Sequence, residues 1–213
     1  ALPSYSVFAE EENQAKETQT NETNETQADE TTANDTLSLA AETAVLIDAA
    51  SGEILYDKDA DKKMYPASIT KLMTILLALE NGKLTDEITF SHDAVYNIEP
   101  GSAHIAILEG ETLTLEQVLR AIILRSANEA SNGVAEYVDG SVEAFAKHMT
   151  ERAKELGCTN TNFVNANGLF DENHYTTAHD MALIARELLK HEEYRSMMSE
   201  TDYEIPPTNL QTE

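Results

Sequence analysis

Ser68-Ile-Thr-Lys71 is a place in the chain where residue types and spacing could do chemistry together. On a helix, a serine and a lysine three apart share one face, one turn from each other. A lysine held there out of water can give up its proton and act as base toward the serine hydroxyl, which activates a weak nucleophile. If the pair opens the helix, free backbone N–H groups and the positive dipole end favour an oxyanion at the same point. The spacing alone is unspecific, since 12 serines and 9 lysines give about 0.5 matches by chance. Its setting says more: this is the only match, and it falls where the most apolar helical stretch begins. A buried lysine there is easier to explain by catalysis than by structure, because burying an ammonium is costly. The plain alternative is a Lys71 on the surface.

Ser126-Ala-Asn128 is the second candidate, between two expected helices. A serine in that link could shuttle a proton between the lysine and a leaving amine. An asparagine amide both donates and accepts, so Asn128 could grip a peptide carbonyl. Simple capping of the next helix by Ser126 or Asn128 is the competing reading. Six histidines are scattered, and the five-residue spacing of His174 and His179 without a third ligand nearby suits zinc poorly, so no metal site is expected. Asp180 reads as a first-turn residue of its helix, and the single Cys158 cannot form an internal disulfide.

The elements that must hold these residues follow from periodicity and turn chemistry. Thr43 to Asp48 and Glu53 to Asp57 are apolar runs around Ala49-Ala-Ser-Gly52, a β-hairpin with Gly52 at the turn. Ile69 to Glu80 is apolar on nearly every side, and Asn81-Gly82 stops it; a helix of that kind belongs at the centre of a fold. Ile88 to Phe90 could be a further short strand. Thr114-Leu-Glu-Gln117 fits a capping box opening a helix to about Arg125. Helices are expected over 128–138, 141–156 and from Thr177 to near Lys190, with a polar loop from Cys158 to Thr176 that contains Asn165-Ala-Asn-Gly168. A strand pair followed by a run of helices gives an α+β arrangement.

Acids outnumber bases 39 to 14, for a net charge of −25. That balance excludes nucleic acid and anionic membrane surfaces as partners, which need clustered Lys and Arg. Residues 10–36 hold nine acids, one base and only three apolar residues, Ala15, Ala28 and Ala33. Such a segment cannot offset the entropy of ordering and reads as a disordered spacer. Residues 1–9, ending in Val7-Phe8-Ala9, read as the remnant of an export signal. Residues 37–213 are the part expected to fold. No stretch approaches the ~20 apolar residues of a transmembrane helix.

Taken together, Tyr65-Pro-Ala-Ser-Ile-Thr-Lys-Leu-Met-Thr74 and, 55 residues after Lys71, Ser126-Ala-Asn-Glu-Ala-Ser131 resemble the penicillin-binding D-alanyl-D-alanine carboxypeptidases. Ile47 to Leu55 is similar to that family's opening hairpin. Leu156 to Asn165, Asn167-Gly-Leu169 and His174 to Ala182 are similar to its later helical part. The resemblance spans about residues 42–205. It implies a β-lactamase/transpeptidase-like fold, an antiparallel sheet plus a helical subdomain, and a serine acyl-enzyme mechanism without cofactor. Ser68 would attack the carbonyl between the terminal D-alanines of a peptidoglycan stem peptide, and Lys71 would take its proton. Ser126 would relay a proton to the departing D-alanine, and Asn128 would orient the peptide. β-Lactams would acylate Ser68 as mimics of the dipeptide. The resemblance also implies an extracytoplasmic location.

One departure stands out: the family's Lys-Thr-Gly strand motif has no counterpart in the sequence. Tyr203-Glu-Ile205 reads as the start of a return into the sheet, so the chain is expected to lack its C-terminal sheet strands, together with any membrane anchor. A serine β-lactamase shares the first two motifs. It would also carry Glu-x-x-Leu-Asn, yet no leucine here precedes an asparagine. A non-catalytic peptidoglycan-binding relative fits the missing motif but not the retention of all four polar residues.

Overall fold

The structure, a computed structural model, describes residues 39–212. The expected export remnant, residues 1–9, and the acidic spacer, residues 10–36, lie outside the described residues. The opening hairpin forms as expected, β1 (Ala44–Ile47) pairing antiparallel with β2 (Ile54–Lys58) so that Leu46 faces Tyr56. Asp48 makes the turn. Its Oδ1 accepts the N–H groups of Ala50 and Ser51 and the Ser51 hydroxyl, while Gly52 supplies the positive φ of 81°. Arg186, on α6 (Ala178–Leu188), donates to the carbonyls of Ala49 and Ala50 at 2.9 and 2.7 Å and so clasps the hairpin to the helical layer.

A 3-10 turn, Ala67–Thr70, runs into the central helix α1 (Lys71–Asn81). Lys71 and every residue from Met73 to Ala78 are buried. Helices α3 (Leu115–Arg125), α4 (Asn128–Asp139), α5 (Val142–Glu155) and α6 pack around it. An all-round apolar helix has found the only environment that buries every face. Gly82 ends α1, but with φ −130° in extended backbone, not as the left-handed cap its type suggests. Space decides the residue there, because a Cβ would lie 2.8 Å from both Leu115 and the Tyr137 hydroxyl.

The short strand expected at 88–90 forms one residue earlier, while its partner strand and two short helices escaped the sequence reading. β3 (Glu87–Thr89) pairs antiparallel with β4 (Thr112–Thr114), and α2 (His92–Tyr96) and α7 (Glu192–Met197) each make little more than one turn. Runs of three to six residues show too few repeats for periodicity to register. Thr114 ends β4 and also caps α3 through a complete capping box with Gln117. Ser141 and Thr177 cap α5 and α6, as their types predict.

The expected return of Tyr203-Glu-Ile205 into the sheet is not observed: no strand forms between residues 198 and 212. Pro206 and Pro207 bring no N–H donors for a ladder. The segment instead crosses to the β3–β4 side, where Asn209 Oδ1 accepts from the Thr112 N–H at 2.8 Å and Gln211 Nε2 donates to Glu111 at 2.8 Å. Tyr203 lies under the Arg120 guanidinium, which also forks onto Glu200. Among the described residues no helix is long and apolar enough to cross a membrane.

Candidate active site

Ser68 sits on the 3-10 turn in front of α1, exposed, while Lys71 begins α1 with 4 % of its surface accessible. The surface alternative for Lys71 is therefore excluded. In a 3-10 turn residues i and i+3 eclipse, so the pair still meets although the first turn is not α-helical. Lys71 Nζ lies 3.4 Å from Ser68 Oγ and donates to Asn128 Oδ1 at 2.8 Å and to the Asn167 carbonyl at 2.6 Å. Burial pushes the Lys71 ammonium from its ordinary 10.5 down to about 8, against the opposing pull of the Glu129 carboxylate.

Neither Ser126 nor Asn128 caps the next helix. The N-cap of α4 is Ala127, with no side-chain bond; Asn128 is its first residue, buried, with Oδ1 turned to Lys71. Ser126 ends α3 in the left-handed region, φ 54° and ψ 35°, a conformation that costs a non-glycine residue on the order of 1 kcal/mol. Its Oγ is buried with no hydrogen-bond partner among the described residues, and it makes no bond to Lys71. Lys71 thus joins Ser68 and Asn128 directly, and Ser126 is brought in only through the chain two residues before Asn128.

Two contributors were invisible as residue types. Asn167 acts through its backbone carbonyl, which any residue carries. What marks the position is the effort spent holding it. Asn167 Nδ2 donates to Asn132 Oδ1 at 3.1 Å, Thr74 donates to the Ala166 carbonyl at 2.6 Å, and Asn165 Oδ1 accepts from the Gly168 N–H at 2.7 Å. Asp180, in the first turn of α6 as expected, anchors the start of the same segment by accepting from Asn160 N–H and the Thr161 hydroxyl.

His174 is the second. It is 1 % exposed, and its Nδ1 lies 3.1 Å from the Val164 N–H, which must donate to it. Nε2 therefore carries the proton and donates to Thr70 Oγ1 at 2.7 Å, in the turn that holds Ser68. Burial pushes His174 from 6.5 down to about 4. Between those values the unfolded chain binds the proton and the folded one does not, so stability is full above pH 6.5 and falls as pH drops toward 4, by about 3 kcal/mol. His174→Gln keeps one acceptor and one donor without titrating. Urea unfolding at stepped pH should show a flatter acid slope for that variant; parallel slopes would remove His174 as the source.

Cys158 is buried and its thiol is pushed up to about 12, chiefly by burial, so it is no second nucleophile at neutral pH. Among the described residues no cluster of three His, Cys, Asp or Glu side chains could hold a metal ion.

The family described as D-alanyl-D-alanine carboxypeptidase matches residues 27–210. The chain is 43% identical over 161 residues to the D-alanyl-D-alanine carboxypeptidase DacF of Bacillus subtilis, covering 73% of this chain and 41% of that protein. It is 37% identical over 160 residues to DacC of Escherichia coli, covering 71% and 40%. The structure superposes on penicillin binding protein 5 from Haemophilus influenzae with a TM-score of 0.73 at 34% identity, covering 79% of this chain and 51% of that one. For DacD from Francisella tularensis the TM-score is 0.71 at 32% identity, covering 76% and 40%. The chain thus spans about two fifths of the length of the curated relatives it matches. Its mixed helices and small antiparallel sheets are those of the penicillin-binding DD-peptidase fold, and the chain belongs to the D-alanyl-D-alanine carboxypeptidase family.

Proposed function

We propose that this chain carries the nucleophile, base and proton relay of a serine carboxypeptidase that removes the terminal D-alanine from peptidoglycan stem peptides. The observation behind it is the environment of Lys71. Two short hydrogen bonds, to Asn128 Oδ1 and the Asn167 carbonyl, occupy two N–H bonds of a neutral amine. That leaves its lone pair for the third neighbour, Ser68 Oγ. A neutral amine so held is a base aimed at one hydroxyl.

In this reading Ser68 Oγ attacks the carbonyl carbon of the penultimate D-alanine as Lys71 Nζ takes its proton. The peptide C–N bond then breaks, the Ser126 hydroxyl gives its proton to the departing amine and takes in its place the proton held on Lys71, and an ester on Ser68 remains. Water adds to the ester and returns the proton to Ser68. Asn128 has committed its Oδ1 to Lys71, so its N–H end is the one left to orient the peptide. A β-lactam follows the same first step, but its leaving amine stays tethered at the ester and hinders water. No cofactor enters any step. The reaction belongs outside the cytoplasmic membrane, where stem peptides are exposed, in keeping with the export reading of residues 1–9. Contacts to the substrate carboxylate fall to the Lys-Thr-Gly strand that the resemblance implies, in the whole protein.

The test is incubation of the full-length protein with a fluorescent penicillin, followed by peptide mapping of the label and by D-alanine release from a peptide ending in D-Ala-D-Ala. Label on the peptide containing Ser68, with release blocked by the penicillin, is expected. A folded protein that takes no label, or takes it elsewhere, would sink the proposal.

A further inference from the structure

We infer that His174 is a positioning residue for Ser68: its bond to Thr70 keeps the strained turn that carries the nucleophile in place against Lys71. The inference rests on the reading of Ser68 and Lys71 as nucleophile and base. Ala67, directly before Ser68, has φ 49°, in the left-handed region that a residue with a Cβ enters at a cost. Such a backbone persists only where its surroundings over-determine it. Residues 174–176 supply that constraint by gripping the chain on both sides of Ser68. Upstream, Met64 and Thr176 exchange both backbone hydrogen bonds, at 2.8 and 2.9 Å. Lys63 Nζ stands 3.7 Å from the centroid of the Tyr175 ring beside them.

Downstream, the tie is made by side chains, His174 Nε2 to Thr70 Oγ1 at 2.7 Å. Thr70 is fully buried and is the N-cap of α1, where a threonine hydroxyl ordinarily accepts from its own helix. No such cap bond forms, and the hydroxyl meets His174 instead. The histidine ring is itself fixed. Its Nδ1 accepts from the Val164 N–H at 3.1 Å, and the Phe163 ring packs edge-on with centroids 5.5 Å apart. The same polar loop carries Asn167, whose carbonyl takes Lys71 Nζ at 2.6 Å. One loop therefore holds the nucleophile through Thr70 and the base through Asn167, and the 3.4 Å separation of Ser68 Oγ from Lys71 Nζ depends on both. Without the Thr70 bond the turn keeps its upstream bridge, but Ala67 can relax toward ordinary backbone and carry Ser68 off its base.

Thr70→Val keeps the shape of the side chain and removes the acceptor, Thr70→Ser restores it, and His174→Gln keeps a donor for Thr70. In the full-length protein, penicillin acylation of Ser68 is resolved into the affinity of the initial complex and the rate of the acylation step. Thr70→Val should slow the acylation step on the order of a hundredfold, as for a misplacement near 1 Å, and leave the initial affinity nearly unchanged. Thr70→Ser and His174→Gln should recover most of that loss. A role confined to stability predicts a lower urea midpoint with the acylation step intact in the folded protein. That result for Thr70→Val would overturn the inference, and so would a serine variant as slow as the valine one. A valine variant unable to fold would overturn it too, since the bond would then hold the fold and not the nucleophile. If the unsubstituted protein shows no Ser68-dependent acylation, the reading of nucleophile and base falls first and takes this one with it.

Discussion

Lys71→Arg is expected to slow penicillin labelling of Ser68 by about three orders of magnitude, the middle of the range for loss of a general base. The substitution keeps a positive charge that can still donate to Asn128 Oδ1 and the Asn167 carbonyl. What it removes is the lone pair, because a guanidinium does not deprotonate at working pH. The pH profile separates this from damage to the site. Lys71 titrates near 8 in the fold against 10.5 as an ordinary lysine. The neutral base is therefore present above pH 8 and lost below it, so the unsubstituted protein should label about tenfold faster at pH 9 than at pH 7. The arginine variant should be slow and flat across that range. Stability carries the same signature: between 8 and 10.5 the unfolded chain holds the proton and the fold does not, so stability rises with pH over that window. Below pH 8 the fold bears the cost of a buried ammonium, which is the structural expense of keeping a base beside Ser68. Undiminished labelling by the folded arginine variant would remove Lys71 as base.

The side-chain half of the site was legible because its chemistry restricts residue type. Only certain pairs can make a nucleophile and base three apart, and Ser68 and Lys71 stood where the most apolar helix begins. Ser126 and Asn128 were visible but ambiguous, since serine and asparagine are also the preferred caps; burial of the Ser126 hydroxyl without a partner and the turn of Asn128 toward Lys71 decide against capping. The backbone half was not legible. A carbonyl such as that of Asn167 leaves no trace in its residue type, and the tautomer of His174 depends on Val164 and Thr70, ten residues after one and 104 after the other. The hairpin, α1 and the capped helices follow from periodicity and turn chemistry. The path of residues 203–212 does not, because it is set by Glu111, Thr112 and Arg120, far away in the chain.

The link between these halves can be cut at one atom. Gly168 has φ +85°, and a Cβ there would lie 1.9 Å from the Ala67 carbonyl oxygen and 3.0 Å from Thr70 Oγ1. The segment carrying Asn167 and the turn carrying Ser68 touch backbone to backbone, with Ala67 itself at φ 49°. Gly168→Ala combines the left-handed penalty of about 1 kcal/mol with an overpacking cost of about 1–3 kcal/mol. Backbone cannot yield as a side-chain tip does, so the upper end is expected, about 4 kcal/mol in urea unfolding. Separating the two segments also draws the Asn167 carbonyl away from Lys71 and Thr70 from His174. A misplacement near 1 Å costs on the order of a hundredfold in rate, so acylation should fall even in the fraction that stays folded. Gly140→Ala supplies the comparison: Gly140 has φ +77° but nothing within 4 Å of its added Cβ. That variant bears the conformational penalty alone, about 1 kcal/mol, and should label Ser68 at the unsubstituted rate. If both alanine variants lose equal stability and label equally fast, contact between Gly168 and Ala67 is not what holds the nucleophile to its base.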